Sequence, residues 1–181
     1  MPVGNMSDFV TLGLQLLQDR AGTVGLTTTH VLPAINYHKS LSTEKNRYLS
    51  LGFTGGWVQR RFDLSKVTTN TQYNGGGIGE NFAGSQYSYI DGSAGMSYNS
   101  TLGKDENNNF FIGAAYHHFT RRKNAFFRNA GIEIEPKWVF SGGMRFGVTD
   151  YAYITLQADH SRQGNFSETI AGGMYGLKLG D

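Results

Sequence analysis

Two adjacent histidines, His117 and His118, are the residues of this chain whose type most directly suggests chemistry, because imidazoles bind metals and transfer protons. They lie in the run "FIGAAYHHF", which has the composition of a strand. Neighbouring side chains on a strand point to opposite faces, so this pair alone is not expected to share a metal ion. The other histidines, His30, His38 and His160, lie on other elements without ligand spacing. We therefore expect no metal site.

Carboxylates form a second group of candidates. Glu133 and Glu135 share a face if their segment is extended, and paired carboxylates can divide the roles of acid and base. They precede Pro136 in a polar loop with no evident nucleophile nearby, which favours a solvated rim. Asp91 and Asp159 project to the polar face of their strands, where a wet or hydrogen-bonded interior would tolerate them.

A glycine-rich stretch, "NGGGIGENFAG", suggests a phosphate-binding loop but lacks its spacing. Gly77 and Gly79 are followed by Phe82 where the dinucleotide fingerprint needs a third glycine. The stretch also lies between two predicted strands, so a flexible loop is the favoured interpretation. The chain has no G-x-S-x-G or H-E-x-x-H motif. We expect a protein that is not an enzyme and that has no cofactor.

A basic and aromatic run follows the histidines. Aromatic rings favour the membrane interface, and guanidinium and ammonium groups reach anionic head groups beyond it. The same composition could stack on single-stranded nucleic acid, but the rest of the chain does not supply the exposed aromatic surface that this needs. The residues that we predict to contact a partner or the membrane rim are Arg60, Arg61, Arg121, Arg122, Lys123, Phe126, Phe127 and Arg128.

The elements that position these residues are predicted to be strands. The chain has 181 residues, 25 of them glycine and only 3 proline, and 13% of its residues are aromatic, which suits many strands joined by turns. The length fits one domain, residues 1–181. A net charge of +2 is too small to imply nucleic acid. No run of about 18 apolar residues is present, which excludes a transmembrane helix but not a transmembrane barrel, whose strands carry a weak hydropathy signal.

The hydrophobic pattern has a period of two. In "DFVTLGLQLL", Val10, Leu12, Leu14 and Leu16 alternate with small or polar residues, and similar runs begin near residue 47. About eight strands follow, most of them long enough for a tilted strand to cross a bilayer. One face is apolar, and the other is mostly Gly, Ser, Thr, Asn and Asp, whereas a soluble sandwich would fill its inner face with bulky apolar side chains.

Aromatic residues and loops support the same fold. The aromatic residues expected near strand ends, as in an interfacial girdle, are Phe9, Tyr48, Trp57, Tyr98, Phe110, Phe119, Trp138, Phe146 and Tyr151. Short polar links follow the second, fourth and sixth predicted strands, long ones follow the third and fifth, and links of intermediate length follow the first and seventh. This alternation is typical of outer-membrane barrels. The alternative is a soluble β-barrel or sandwich that binds a ligand or partner through its long loops.

Four long runs carry a family resemblance: "WVQRRFDLSKVTTNTQY", "GENFAGSQYSYIDGSAGMSYNS", "NNFFIGAAYHHFTRRKNAFF" and "PKWVFSGGMRFGVTDYAY". They closely resemble, in the same order, the PorP/SprF family of outer-membrane proteins of the type IX secretion system. The resemblance implies an all-β, antiparallel, up-and-down transmembrane β-barrel in the bacterial outer membrane. It also implies a non-catalytic role in the export or surface attachment of secreted proteins such as gliding adhesins.

The implied partners are outer-membrane lipid, secreted surface proteins and other secretion components, including periplasmic ring proteins; nucleic acid is not among them. Family members normally begin with a signal peptide and early strands and continue beyond "KLGD", so we expect the domain to be incomplete at both ends. In lipid every backbone donor and acceptor must be paired, so an open eight-stranded sheet cannot stand alone. We expect further strands to complete a larger barrel.

Overall fold

Eight long strands make up most of the protein. The computed structural model describes residues 7–42, 46–79, 84–103, 107–120, 126 and 131–177. The strands are β1 (Phe9–Ala21), β2 (Leu26–Ser40), β3 (Arg47–Arg61), β4 (Gln86–Thr101), β5 (Asn109–His117), β6 (Lys137–Thr149), β7 (Ala152–Gln163) and β8 (Phe166–Leu177). A 3-10 turn, η1 (Leu64–Lys66), and a one-turn helix, α1 (Asn70–Tyr73), lie between β3 and β4. In the described part of the chain, no helix has the length and hydrophobicity of a membrane span.

All eight strands belong to one antiparallel sheet. Each strand pairs with its neighbours in the sequence, from β1 at one edge to β8 at the other. The prediction of an all-β, antiparallel, up-and-down fold is confirmed. Within the described ranges β1 and β8 do not pair with each other, so the sheet is open along that seam.

The register divides the side chains into two faces, because residues directly opposite each other in an antiparallel pair point the same way. One row of residues in register joins Leu16, Val31, Trp57 and Ile90 across β1 to β4. This side is called the apolar face. The opposite side, the polar face, carries mostly small and hydrophilic residues, and a representative row joins Gly13, Ala34, Thr54, Ser93 and His117.

No second layer of the described chain covers the apolar face. Leu14, Phe53 and Ile112 are 62%, 58% and 57% exposed, although each lies in the middle of its strand. Among the described residues the only buried apolar side chains are Val58 and Ala152. A soluble sandwich buries its apolar side chains between two sheets, whereas this sheet leaves most of them exposed.

The strands are staggered along the sheet. The row that starts at Phe9, the first residue of β1, passes through Ser97 in β4 and ends at Ile170 in β8. Ile170 lies seven residues before Leu177, which ends β8 at the same side of the sheet as Phe9. Tilted, staggered strands are what the wall of a barrel requires.

The connections form two rims of different size. The short-turn rim contains residues 41–46, 102–108 and 150–151. The long-loop rim contains the long connections 62–85 and 118–136, together with the tight turns at 22–25 and 164–165. The predicted short links after β2, β4 and β6 and the predicted long links after β3 and β5 are present. The links after β1 and β7, predicted to be of intermediate length, are instead tight turns of four and two residues.

Aromatic side chains divide between the two faces. On the apolar face, the rings of Tyr116 and Trp138 lie 4.5 Å apart. Phe119 covers Gly92 on the same face, where a Cβ atom would overlap its ring. Phe9 and Tyr48, by contrast, have the register of the polar face and contact each other there, 5.7 Å between centroids. The predicted girdle therefore does not include these two residues.

Candidate functional site

A broad groove lies over the polar face. Its volume is about 530 Å³, and it extends from β1 to β6. The small and polar residues that line it include Gln15, Asn36, Ser50, Gly52, Thr54, Ser93, Ser97, Gly113 and Ser141. Hydrogen bonds connect its wall, since His38 shares one of 3.0 Å with Asn36 and one of 2.8 Å with Ser50. The wall of the groove thus carries hydrogen-bonding side chains together with apolar ones such as Phe111 and Val139.

At the long-loop end of the groove, two histidines contact β4. The His117 ring lies 3.1 Å from the Ser93 hydroxyl, and His118 Nδ1 lies 2.5 Å from Asp91 Oδ2. Asp91 is 6% exposed, and its other oxygen accepts from the backbone N–H of Gly92 at 2.8 Å. The pair connects the beginning of the 118–136 connection to the neighbouring strand.

The expectation that the two imidazoles point to opposite faces is wrong. Strand β5 ends at His117, and His118 has a φ of 59°, in the left-handed region that non-glycine residues rarely adopt. That turn brings both rings to the polar face, 6.4 Å apart. Among the described residues, no group of three or more His, Asp or Glu side chains could hold a metal ion.

The predicted contact residues that the structure describes do not form one cluster. Arg60 has the register of the polar face, where its Nη1 donates to the Tyr87 hydroxyl at 3.3 Å. The Phe126 ring packs edge-on against Tyr87 and Phe62, 4.8 Å from each. Arg61 is the next residue along β3 and therefore has the register of the apolar face. Arg121, Arg122, Lys123, Phe127 and Arg128 lie outside the described residues.

A second cavity of about 550 Å³ opens on the apolar side of the long-loop rim. Arg61 lines it together with Arg20 from β1, Thr27 from β2 and Gln86 from β4. Sequence reasoning missed Arg20. The sequence indicated only that Arg20 alternates with Leu14 and Leu16 and therefore shares their face of β1. The register across β2 shows that it lies near Arg61.

Capping hydrogen bonds stabilise the two short helical turns, η1 and α1, between β3 and β4. Asp63 accepts from the Ser65 hydroxyl at 2.7 Å and from its backbone N–H at 3.0 Å, and these bonds hold the pKa of Asp63 below its usual range. Thr69 caps α1 and donates to the Ile78 carbonyl at 2.7 Å. The described part of the glycine-rich stretch thus folds back on its own loop rather than preceding a longer helix.

The short-turn rim contains an ion pair between a buried carboxylate and a partly exposed lysine, which the sequence pattern did not indicate. Asp8 is 2% exposed, and its carboxylate accepts from Lys39 Nζ at 2.7 Å, from Tyr37 Oη at 2.9 Å and from the Ser40 N–H at 2.9 Å. The hydrogen bonds from Lys39 and then Ser40 keep the pKa of Asp8 below its ordinary value. This contact fixes the start of β1 to the end of β2.

The other predicted carboxylates lie apart. Asp159 has the register of the polar face and accepts from Gln157 Nε2 at 3.0 Å. The Glu135 carbonyl accepts from Gln163 Nε2 at 2.8 Å, and the Glu133 and Glu135 side chains are exposed. Glu133 and Glu135 thus lie in the connection before β6, whereas Asp159 lies within β7.

A known protein family matches most of the chain. The model of a family described as type IX secretion system membrane protein PorP/SprF matches residues 1–177. No curated protein and no solved structure matches the chain.

Proposed function

Because the chain belongs to the PorP/SprF family of type IX secretion system membrane proteins, we propose that it is a barrel component of this system in the outer membrane. In this role it assists the export or surface attachment of secreted proteins such as gliding adhesins. It does so without catalysis, by providing a wall and contact surfaces for the other components.

The single observation that carries the membrane assignment is the exposure of the apolar face. In water this face would expose Leu, Ile, Phe and Met side chains across eight strands, far more apolar surface than a soluble monomer normally shows. Hydrocarbon chains cover such a face without a second protein layer. The small and polar residues on the other side fit the interior of a barrel.

The long-loop rim is the proposed contact surface for secreted proteins. Arg60 and Phe126 lie on its groove side, so a partner that approaches through the barrel interior would meet them. The remaining predicted contacts, residues 121–123, 127 and 128, belong to the same connection. The opposite, short-turn rim is the surface we assign to periplasmic ring proteins.

We further propose that additional strands complete the wall between β1 and β8. Both edges present long rows of backbone donors and acceptors, which lipid cannot pair. The larger barrel would have a lumen wide enough to keep the polar groove hydrated.

The test is fractionation of the native gene product in its own bacterium, followed by electrophoresis with and without boiling. The proposal expects the protein in the outer-membrane fraction, a heat-dependent shift of its band, and loss of secreted adhesins from the surface of a deletion strain. Complementation with the wild-type gene is the control. Recovery of the protein in the soluble fraction, or normal surface adhesins in the deletion strain, would contradict the proposal.

A further inference from the structure

The cavity on the apolar side of the long-loop rim has the features of an anion site. We propose that Arg20 and Arg61 bind the phosphate of an anionic lipid head group in the surrounding membrane. This inference rests on the proposed membrane function, and it assigns a specific lipid contact that the fold alone does not require.

The register brings the two arginines together. Arg20 pairs with Thr27, and Thr27 pairs with Arg61, so both arginines lie on the same face of the sheet, with strand β2 between them. Two strand spacings separate their backbones by about 10 Å. Side chains as long as arginine can converge on one phosphate across that distance, and both line the same cavity.

A glycine makes room for one of the guanidinium groups. Gly25 has a φ of 62°, and a Cβ atom there would lie 3.1 Å from Arg20 Nε and Nη2. The Arg20 head group therefore packs against the backbone of the β1–β2 turn. This contact restricts the side chain near the cavity that Arg61 also lines.

The depth of the site fits a head group. The last apolar row of this part of the sheet contains Leu16, Val31 and Trp57, and Arg20 lies four residues beyond Leu16 on the same face. Four residues span about 14 Å along a strand, which is about 10 Å along the membrane normal at a tilt of about 45°. The phosphate layer begins just outside the hydrocarbon core, so the guanidinium groups reach it.

The charges around the site favour an external anion. Within the described ranges, none of the three salt bridges involves Arg20 or Arg61. The acidic residue that lines the cavity is Asp63, and it already accepts from Ser65 and lies 3.6 Å from Lys66 Nζ. Arginine forms paired, charge-assisted hydrogen bonds with phosphate oxygens, which a lone ammonium group cannot reproduce.

The experiment uses the native gene product, as in the fractionation test, in phosphatidylcholine nanodiscs that contain a minor fraction of phosphatidylglycerol. Native mass spectrometry measures how much phosphatidylglycerol each protein retains. The test variant is Arg20→Gln/Arg61→Gln. The control is Arg162→Gln, because Arg162 has the register of the same face near the same rim, on β7, but does not line the cavity.

We expect the wild type to retain phosphatidylglycerol over phosphatidylcholine. In the double variant this preference should fall at least about tenfold, because two charge-assisted contacts are lost. Arg162→Gln should keep the preference of the wild type. Arg20→Lys/Arg61→Lys preserves the charge and removes the paired geometry, so an intermediate loss is expected. This second variant keeps the test informative if the glutamine variant does not insert.

Three results would overturn the inference. The double variant could retain the lipid as the wild type does, or Arg162→Gln could lose it equally, which would indicate a diffuse charge effect. Inorganic phosphate could bind as well in discs without phosphatidylglycerol, which would make free phosphate rather than lipid the ligand. Insertion is checked separately by quenching with brominated phosphatidylcholine of tryptophan fluorescence, to which Trp57 and Trp138 on the apolar face contribute. Failure to insert would instead count against the proposed membrane function.

Discussion

Replacing Phe53 by arginine tests whether lipid covers the apolar face. Phe53 is the seventh of the 15 residues of β3, close to the middle of the strand, and it is 58% exposed. Its neighbour Thr54 has the register of the polar face, opposite Ala34 and Ser93. The two positions share a strand and a depth, so Thr54→Arg is a matched control.

The expected cost follows from the exposed area and the charge. A phenylalanine side chain presents about 200 Å², so 58% exposure places about 115 Å² of apolar surface against lipid. At about 25 cal/mol per Å², its loss costs about 3 kcal/mol. An arginine at the bilayer midplane adds about 2 to 4 kcal/mol, so Phe53→Arg should destabilise the inserted protein by about 5 to 7 kcal/mol.

The control variant should cost far less, about 1 kcal/mol or below, because its guanidinium group remains in the hydrated groove near Asp91. The measurement is urea-dependent unfolding from phospholipid vesicles, followed by the fluorescence of Trp57 and Trp138. If the two variants were destabilised equally, to within about 1 kcal/mol, lipid would not be what covers the apolar face.

Three further predictions address the rims. Asp8→Asn should remove a stabilising carboxylate whose pKa is lowered in the folded state. The difference in unfolding free energy between wild type and variant should therefore be constant above about pH 5 and should shrink as the pH falls below about 4. Titration of urea midpoints checks this, with Lys39→Met as a partner control; a difference that persists at low pH would contradict it. Gly92→Val should displace the Phe119 ring and cost about 1 to 3 kcal/mol in the same unfolding assay, whereas unchanged stability would show that the ring moves freely. Phe126→Ala removes two aromatic contacts of about 1 kcal/mol each, so trypsin should cut the 118–136 connection about tenfold faster, and an unchanged rate would argue against this anchor.

Much of the fold could be predicted from local sequence. The strand period of two is a property of neighbouring residues, so Val10, Leu12 and Leu14 already indicated both the strand and its apolar face. The same local pattern predicted eight strands, and the structure has eight in the described chain. The family was recognisable from its long runs, and the family match confirms it.

The candidate site depended more on tertiary structure. The pattern grouped Arg60 with Arg61, but alternation along β3 separates their side chains, and Phe126 packs against Phe62 and Tyr87. The left-handed turn at His118 likewise could not be predicted from an alternating run, and it accompanies a contact with Asp91 on the neighbouring strand.

The sequence by itself determined which residues form strands and which face of each strand is apolar, because that information lies in the alternation of neighbouring side chains. Only the tertiary structure decided the stagger between strands, because register is set by pairing across the sheet rather than along the chain. That stagger places Arg20 beside Arg61, which are 41 positions apart in the sequence, and opens the cavity between them.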